Sequence, residues 1–264
     1  MLPALLQSIL TGLPLGGLRY FDSIGSTNDE ALAWARAGAP DYSLVVADTQ
    51  TAGRGRLQRR WVTNPGAALA FSLVLWPAPQ ERQCLPRFSP LGAVAVRQAL
   101  AVVFGLPAEI KWPNDVLLGR CKVAGVLAET AWEGTVLPAL VLGIGLNIAP
   151  SAVPPPAGLN FPATCIETAL GQPVDRWVML RAILESLLAW RPRLCTEAFL
   201  KEWQAHLALR GEWVRIGATG GADLIGVVQD INADGSLCLL DKDGKELSVS
   251  VGDVHLRTLG EQGS

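Results

Sequence analysis

Two spacings of hydrophobic residues divide most of this chain into helices and strands. Apolar residues that recur every three to four positions predict helices over 2–13, 26–38, 90–104, 164–170, 175–190 and 196–207. Nearly continuous apolar runs predict strands over 44–47, 68–75, 110–113, 122–129 and 136–148. The pattern therefore predicts an apolar sheet that is flanked by helices.

The hydrophobic pattern changes after Gly211, where short predicted strands replace the predicted helices. Segments at 212–216, 223–228, 236–240 and 246–250 are separated by turns that contain glycine. Short strands at this spacing predict a small β-barrel or sandwich. We therefore expect a boundary near residue 209, with domains over 1–208 and 209–264.

A cluster of polar residues opens the second predicted helix. Thr27 followed by Glu30 fits a capping box, and Gly38 fits a stop signal. One interpretation is that Ser26, Thr27 and Asn28 only cap the helix. The other is that these side chains, at an exposed helix N-terminus, bind a polar group of a ligand.

The most basic stretch, residues 51–61, lies between two predicted strands, and we call it the arginine loop. It contains four arginines and two glycines, namely Arg54, Arg56, Arg59, Arg60, Gly53 and Gly55. Arginine offers a fixed fork of donors to phosphate or carboxylate, and glycine lets the backbone approach a ligand. A solvated basic loop is the alternative. Connections longer than about 12 residues are usually functional or disordered, so anion binding remains an interpretation of this loop.

Polar turn residues and a lysine follow downstream. Asn114 and Asp115 are good turn formers, so a plain turn is one interpretation. Lys122 begins an otherwise apolar strand, and it is a solvated edge residue unless its side chain points to the arginine loop. Gly143 and Gly145 lack the third glycine of a dinucleotide-binding fingerprint. We expect them to let a ligand lie against their strand.

Composition and charge exclude several classes of protein. The chain has 264 residues, 50% of them hydrophobic and 17% charged, with a net charge of −2. A disordered chain or a general nucleic-acid binder would show a different balance. Five scattered cysteines without a CxxC pair argue against a disulfide framework or a zinc site and favour a reducing compartment. No apolar run matches a membrane span, so we expect a cytoplasmic protein that binds no membrane.

Taken together, these motifs resemble those of biotin–protein ligases. The matching pieces stand in the family's order: Ser26-Thr-Asn28, Gln50, Gly53-Arg-Gly-Arg56, Trp61, Lys111-Trp-Pro-Asn-Asp115, Lys122, Ala124-Gly125, Glu129 and Gly143-Ile-Gly-Leu-Asn147. The resemblance covers roughly residues 20 to 260. It implies an α+β fold, with a mixed, largely antiparallel sheet and flanking helices of the class II synthetase type. A small C-terminal SH3-like β-barrel completes the implied architecture.

The resemblance implies a two-step ligase reaction. The carboxylate of biotin attacks the α-phosphate of ATP, with Mg²⁺ as cofactor, and gives biotinyl-5'-AMP and pyrophosphate. A lysine of a biotin carboxyl carrier protein domain then attacks the mixed anhydride and releases AMP. Preorganised cations in a closed site are the main catalytic resource for such chemistry.

The resemblance also implies roles for individual residues. Biotin binding is assigned to Ser26, Thr27, Asn28, Gln50, Arg54, Gly55, Arg56, Lys122, Gly125 and Gly143. Nucleotide binding is assigned to Trp61, Lys111, Asn114, Asn147 and Arg257, and Asp115 is assigned to Mg²⁺. Lys122, Arg54 and Arg56 are the implied catalytic residues. The arginine loop is then a lid that is mobile until the adenylate orders it.

Two positions depart from the family pattern, Gln58 in the arginine loop and Ala149 after Asn147, and neither carries an assigned role. The helix-turn-helix domain of the family's repressors is not recognisable, so we expect no binding to operator DNA. The oligomeric state is open, and exposed sheet edges would be the route to a homodimer. The alternatives are a lipoate–protein ligase and a non-catalytic sensor of biotin or nucleotide.

Overall fold

The computed structural model describes residues 4–130, 139–155, 161–217, 223–250 and 253–256. Four predicted features lie wholly or partly outside these ranges. They are the start of the helix at 2–13, the start of the strand at 136–148, the turn at Gly220-Gly221, and Arg257.

Helices and strands follow one another in the described chain much as the hydrophobic pattern predicts. The helices are α1 (Ala4–Leu10), α2 (Thr27–Arg36), α3 (Phe88–Phe104), α4 (Ile166–Leu170), α5 (Arg176–Trp190) and α6 (Glu197–Ala205). The strands are β1 (Gly17–Ile24), β2 (Ser43–Gln50), β3 (Ala68–Leu75), β4 (Ala108–Lys111), β5 (Asp115–Leu118), β6 (Cys121–Thr130), β7 (Leu140–Asn147), β8 (Trp213–Gly217), β9 (Leu224–Ile231), β10 (Leu237–Leu240), β11 (Glu246–Val249) and β12 (Asp253–Leu256). Short 3-10 turns span Arg56–Gln58, Pro79–Arg87, Pro150–Ala152 and Arg191–Arg193.

Seven strands form one sheet in the order β1-β2-β3-β7-β6-β5-β4. The pairing of β1 with β2 is parallel, and the other neighbours in this sheet are antiparallel. Helices α3 and α5 pack on one face, and α2 covers part of the other through Ala31 and Ala35. Because both faces are covered, β3 and β7 are buried at every position.

A second, antiparallel sheet of five strands follows in the order β11-β10-β9-β8-β12. Its apolar side chains belong to the same core cluster as those of the large sheet. Trp112 Nε1 donates to the Gly235 carbonyl at 3.0 Å. Arg120 donates to both carboxylate oxygens of Glu212 at 2.7 Å. The predicted small C-terminal β-structure is confirmed, whereas the boundary near residue 209 stays a prediction.

The predicted capping box at the start of α2 is wrong. The helix begins at Thr27 with Ser26 as its N-cap, and no side chain caps it in the described structure. Thr27 bonds instead to Gln50, and Glu30 forms an ion pair with Arg19 at 2.6 Å. Partners distant in sequence therefore take both side chains that a local cap would use.

Two expectations drawn from composition also need correction. Cys84 and Cys195, which are 111 residues apart, form a disulfide with Cα atoms 5.7 Å apart, against the expectation from the scattered cysteines. Among the described helical stretches, Pro79–Phe104 is long and apolar enough to cross a membrane. However, 56% of its apolar window is buried inside the protein, as in a core helix.

Candidate active site

A cavity of about 350 Å³ opens on the face of the large sheet that α2 partly covers. Residues of β4, β5, β6 and β7 form its floor, the N-terminus of α2 forms a wall, and the arginine loop forms the rim. Of the described residues that line it, six are lysines or arginines and one, Asp115, is acidic. The cavity is therefore suited to an anionic ligand.

The floor belongs to a row of residues that stand side by side across five strands, and the row extends past the cavity to β3. Lys111, Asp115, Gly125, Gly145 and Ala70 are successive partners in register from β4 to β3. Residues paired in register point to the same face of a sheet, and their neighbours along each strand point to the opposite face. The alternate positions pack into the core beneath α3. One face thus carries the site while the other stabilises the fold.

Lys122 joins this row because of a β-bulge. The pairing of β5 with β6 skips Val123, which leaves one extra residue in β6. An extra residue reverses the alternation of side chains along a strand, so Lys122 points to the same side as Gly125. Its Nζ lies 2.6 Å from Asp115 Oδ1 and 5.7 Å from the centre of the Trp61 ring. Lys122 therefore faces the cavity and the arginine loop.

Asp115 holds two ammonium groups at the centre of the floor. Lys122 Nζ contacts one of its oxygens, and Lys111 Nζ lies 3.3 Å from the other. Burial acts to raise the pKa of Asp115, but Lys122 and Lys111 outweigh it and hold the pKa below its ordinary value. The carboxylate is therefore ionised at neutral pH and neutralises only part of the local positive charge.

These surroundings do not fit the predicted magnesium site on Asp115. Mg²⁺ requires near-octahedral oxygen ligation, whereas both oxygens of this carboxylate already accept from ammonium groups. Within the described residues, no group of three or more histidine, cysteine, aspartate or glutamate side chains is placed to hold a metal ion. We therefore derive no catalytic step from a protein-held ion.

Hydroxyl and amide groups form the wall beside this floor. Thr27 donates from its backbone N and its Oγ1 to Gln50 Oε1, at 2.8 and 3.0 Å. The Ser72 hydroxyl lies 2.8 Å from Thr27 Oγ1 and 2.6 Å from Asn28 Oδ1. Asn28 Nδ2 donates to Glu129 Oε2 at 2.7 Å. Each group has a fixed orientation, so the wall presents a defined pattern of donors and acceptors.

Glycines in β6 and β7 make room for two of the surrounding side chains. A Cβ atom at Gly143 would collide with the Asn28 amide, and one at Gly145 would collide with the Trp61 indole. A Cβ atom at Gly125 would lie 3.1 Å from Lys122 Nζ and 3.3 Å from the Trp61 ring. Side chains of the chain itself thus approach this strand closely, and the expectation that a ligand lies against it stays a prediction.

The arginine loop forms the rim as a short hairpin, with Arg54 paired to Arg60. Arg56 Nη1 donates to Asn114 Oδ1 at 3.3 Å, which places this guanidinium beside the floor. Arg54 Nη2 donates to Asp29 Oδ1 at 2.6 Å and to Glu129 Oε2 at 2.9 Å, which places it against the wall. The two arginines that were predicted to act together thus contact different parts of the cavity.

Known proteins are similar to this chain in both sequence and architecture. Residues 20–147 match the model of the biotin/lipoate A/B protein ligase family. A biotin–[acetyl-CoA-carboxylase] ligase of Mycobacterium tuberculosis is 35% identical over 257 residues, which cover 91% of each protein. A biotin protein ligase of Aquifex aeolicus, solved with biotin and ATP, has a TM-score of 0.76 at 27% identity, covering 91% of this chain and 98% of that one. This chain belongs to the biotin–protein ligase family.

Relatives with repressor activity in their names are longer than this ligase. A bifunctional ligase/repressor of Bacillus spizizenii is 36% identical over 190 residues, which are 72% of this chain and 55% of that protein. The chain thus spans about half the length of that relative, and nearly the whole of the Mycobacterium tuberculosis ligase.

The cavity of this biotin–protein ligase brings the predicted site residues together. Those that line it are Ser26, Thr27, Asn28, Gln50, Arg54, Gly55, Arg56, Trp61, Lys111, Asn114, Asp115, Lys122, Gly125, Gly143 and Asn147. The remaining one, Arg257, lies outside the described residues. Their separate roles in biotin and nucleotide binding stay predictions.

Sequence reasoning missed several supporting residues of the ligase. Ser72 is fully buried in an otherwise apolar strand. A single hydroxyl in such an apolar run could have indicated a supporting role in the site. Glu129 matched the family pattern without receiving a role. Asp29 follows Asn28 directly and binds Arg54. Thr63, whose Oγ1 accepts from the backbone N of Gln50 at 2.6 Å, gave no signal in the sequence.

Proposed function

We propose that this ligase activates biotin with ATP and transfers it to a lysine of a biotin carboxyl carrier domain. The observation that carries the proposal is the pair of ammonium groups of Lys111 and Lys122, which share one buried carboxylate beside a wall of hydroxyls and amides. The cations complement carboxylate and phosphate oxygens. The wall complements a neutral polar group such as the ureido ring of biotin, because both offer donors and acceptors.

In the first step, a carboxylate oxygen of biotin bonds to the α-phosphorus of ATP, and the bond from that phosphorus to pyrophosphate breaks. Negative charge shifts onto the phosphate oxygens during this exchange. Lys122 and Lys111 are held in place by Asp115, and Arg56 is held beside Asn114. These cations require little reorganisation as charge develops, and removal of one such donor costs about 10²- to 10³-fold in rate.

In the second step, the neutral amine of the acceptor lysine attacks the carbonyl carbon of the mixed anhydride. The bond to AMP breaks, AMP leaves with the bonding electrons, and the new amide nitrogen loses a proton to solvent. Trp61 and the arginine loop cover the floor, and this cover limits competing attack by water. The predicted catalytic residues Arg54, Arg56 and Lys122 act through position and charge in this scheme.

Magnesium is proposed to enter with the phosphates of the nucleotide, as is usual for this ion, because Asp115 is already engaged by two lysines. The predictions of a cytoplasmic location, of no binding to operator DNA and of a homodimer through sheet edges remain to be tested. A gel-shift assay with the operator sequences of biotin genes tests the second, and sedimentation velocity tests the third.

The decisive experiment offers the protein MgATP, a carrier domain and either biotin or lipoate. We expect pyrophosphate release and a carrier mass increased by one biotinyl group with biotin alone. Lipoate should not replace biotin, because its dithiolane ring offers no partners to the buried amides and hydroxyls around Asn28. A lipoate–protein ligase would show the reverse preference. Binding of biotin without pyrophosphate release would identify a sensor instead of an enzyme.

A further inference from the structure

One nitrogen of Arg54 connects the arginine loop to two separate elements. Its Nη2 lies 2.6 Å from Asp29 Oδ1, in the first turn of α2, and 2.9 Å from Glu129 Oε2, near the end of β6. Asp29 is not needed for the helix cap, since Ser26 is the N-cap residue. The two carboxylates thus fasten the loop to both sides of the cavity wall.

Glu129 also extends this connection into the wall itself. The oxygen that accepts from Arg54 accepts from Asn28 Nδ2 at 2.7 Å. The other end of the Asn28 amide faces the Ser72 hydroxyl at 2.6 Å. Glu129 therefore sets which end of the amide faces into the wall, while it holds a residue of the loop.

The backbone of the arginine loop transmits this anchoring. Gly55 N donates to the Arg59 carbonyl at 2.7 Å, and Trp61 N donates to the Gly53 carbonyl at 2.9 Å. These bonds close the segment into a hairpin whose stem contains Arg54. Trp61, at the end of the same stem, packs on Gly145 over the floor. A restraint on Arg54 is therefore a restraint on the whole cover of the cavity.

We propose that Asp29 and Glu129 are positioning residues that form a latch on Arg54 and hold the arginine loop across the cavity. Neither contacts the reacting atoms in the proposed function; each acts through Arg54, and Glu129 acts also through Asn28. The latch slows opening of the loop, and so it retains the acyl-adenylate until the acceptor lysine arrives. This last consequence rests on the proposed function, whereas the latch itself does not.

Hydrogen exchange of the protein without added ligand tests the latch directly. We expect Asp29→Asn to speed exchange in peptides covering residues 51–63 by about 2- to 5-fold, the range for a partly exposed ion pair. The Asp29→Asn/Glu129→Gln double variant should exchange faster still. The matched control is Glu30→Gln, which removes a carboxylate from the same helix but from an ion pair with Arg19. In an Arg54→Gln background, Asp29→Asn should have no further effect.

Unchanged loop exchange in both Asp29→Asn and the Asp29→Asn/Glu129→Gln double variant would overturn the latch. Faster exchange that persists undiminished in the Arg54→Gln background would overturn it equally, because the carboxylates would then act through other contacts. Circular dichroism and the exchange of β3 and β7 peptides serve as the measure of intact folding.

Retention of the adenylate is tested by the ratio of pyrophosphate formed to biotin transferred. We expect this ratio to rise at least 2-fold in Asp29→Asn while the initial rate of pyrophosphate formation stays within 2-fold of wild type. A ratio equal to wild type in a variant whose loop exchanges faster would refute the retention role. If the wild-type protein forms no biotinylated carrier, the proposed function fails and the exchange result still decides the latch.

Discussion

Cations in two parts of this ligase have opposite surroundings. Arg191 donates to both carboxylates of Glu81 and Asp41 and to the Trp76 carbonyl, so that two negative groups surround one positive group. In the cavity the ratio is reversed, since two lysines share Asp115. A cation that is surrounded by an excess of negative charge stabilises the fold. A site with an excess of positive charge is suited to bind an anionic ligand.

The surroundings of Arg191 explain why it has a structural role alone. Burial acts to lower its pKa, but the hydrogen bonds that Arg191 donates to Glu81 and Asp41 hold the pKa above its ordinary value. The guanidinium is therefore always charged, and its donors are taken by residues of the chain. It ties the 3-10 turn at 79–87 to the end of α5, close to the disulfide between Cys84 and Cys195.

Among the changes that test this comparison, the removal of Arg191 should have the largest effect, and the effect is on stability. We expect Arg191→Met to lower the free energy of unfolding by about 3–5 kcal/mol, because Glu81 would remain buried without its partner. Urea denaturation followed by circular dichroism measures the change. Arg215→Met is the control, since its ion pair with Asp223 is half exposed and should contribute about 0–1 kcal/mol. Equal losses in the two variants would contradict a special role for the buried pair.

Removing Lys122 should affect chemistry more than folding. We expect Lys122→Met to slow pyrophosphate release by about 10²- to 10³-fold, because one preorganised cation is lost from the reacting oxygens. The unfolding midpoint should fall much less than in Arg191→Met, since Lys111 still pairs with Asp115. Lys201→Met removes an exposed lysine of α6 as a control. Turnover within 3-fold of wild type would remove Lys122 from the mechanism.

Crowding the floor should have an intermediate effect. A Cβ atom at Gly145 would displace the Trp61 indole, and overpacking of this kind costs about 1–3 kcal/mol. We expect Gly145→Ala to raise the KM for ATP by about 10-fold, with a smaller change in kcat. Steady-state kinetics with Gly66→Ala, at an exposed turn with a positive φ, show whether backbone strain away from the floor changes the KM. An unchanged KM would show that Trp61 does not contribute to nucleotide binding.

The pH dependence of stability should give the smallest effect. The pKa of Asp115 is lower in the folded protein than the ordinary value of about 3.9. Its ion pairs therefore stabilise the fold fully above that value, and the contribution is lost as the pH falls through the lower, folded pKa. We expect the difference in unfolding free energy between wild type and Asp115→Asn to be constant from pH 5 to 7 and to shrink below about pH 4. A difference that grows on acidification would contradict the sign.

Much of the fold followed from the spacing of apolar residues. The buried strands β3 and β7 and the helix α5 were predicted from continuous or helical patterns. Strand β1 was not predicted, because it is a partly exposed edge strand with no apolar run. Its pairing with β2 is parallel, and parallel pairing leaves no local signal comparable to a hairpin turn.

The composition of the site was largely predictable from motifs, but its geometry was not. The direction of Lys122 depends on the skipped residue Val123, and a bulge is invisible in an apolar run. The anchoring of Arg54 depends on Asp29 and Glu129, which are 25 and 75 residues away in sequence. Such long-range pairs are decided by the packing of strands and helices, so a reading of local patterns does not find them.

The indole of Trp112 has a consequence for anyone who wishes to shorten or divide this enzyme. Trp112 stands between Lys111 and Asn114 in the chain, and its Nε1 donates to Gly235 in a turn of the second sheet. A fragment that stops at residue 208 would leave this buried donor without an acceptor and would uncover the motif that carries Lys111. The smallest active unit is therefore expected to extend beyond the large sheet, and a split-protein reporter divided at that boundary would regain activity only when both halves reassemble.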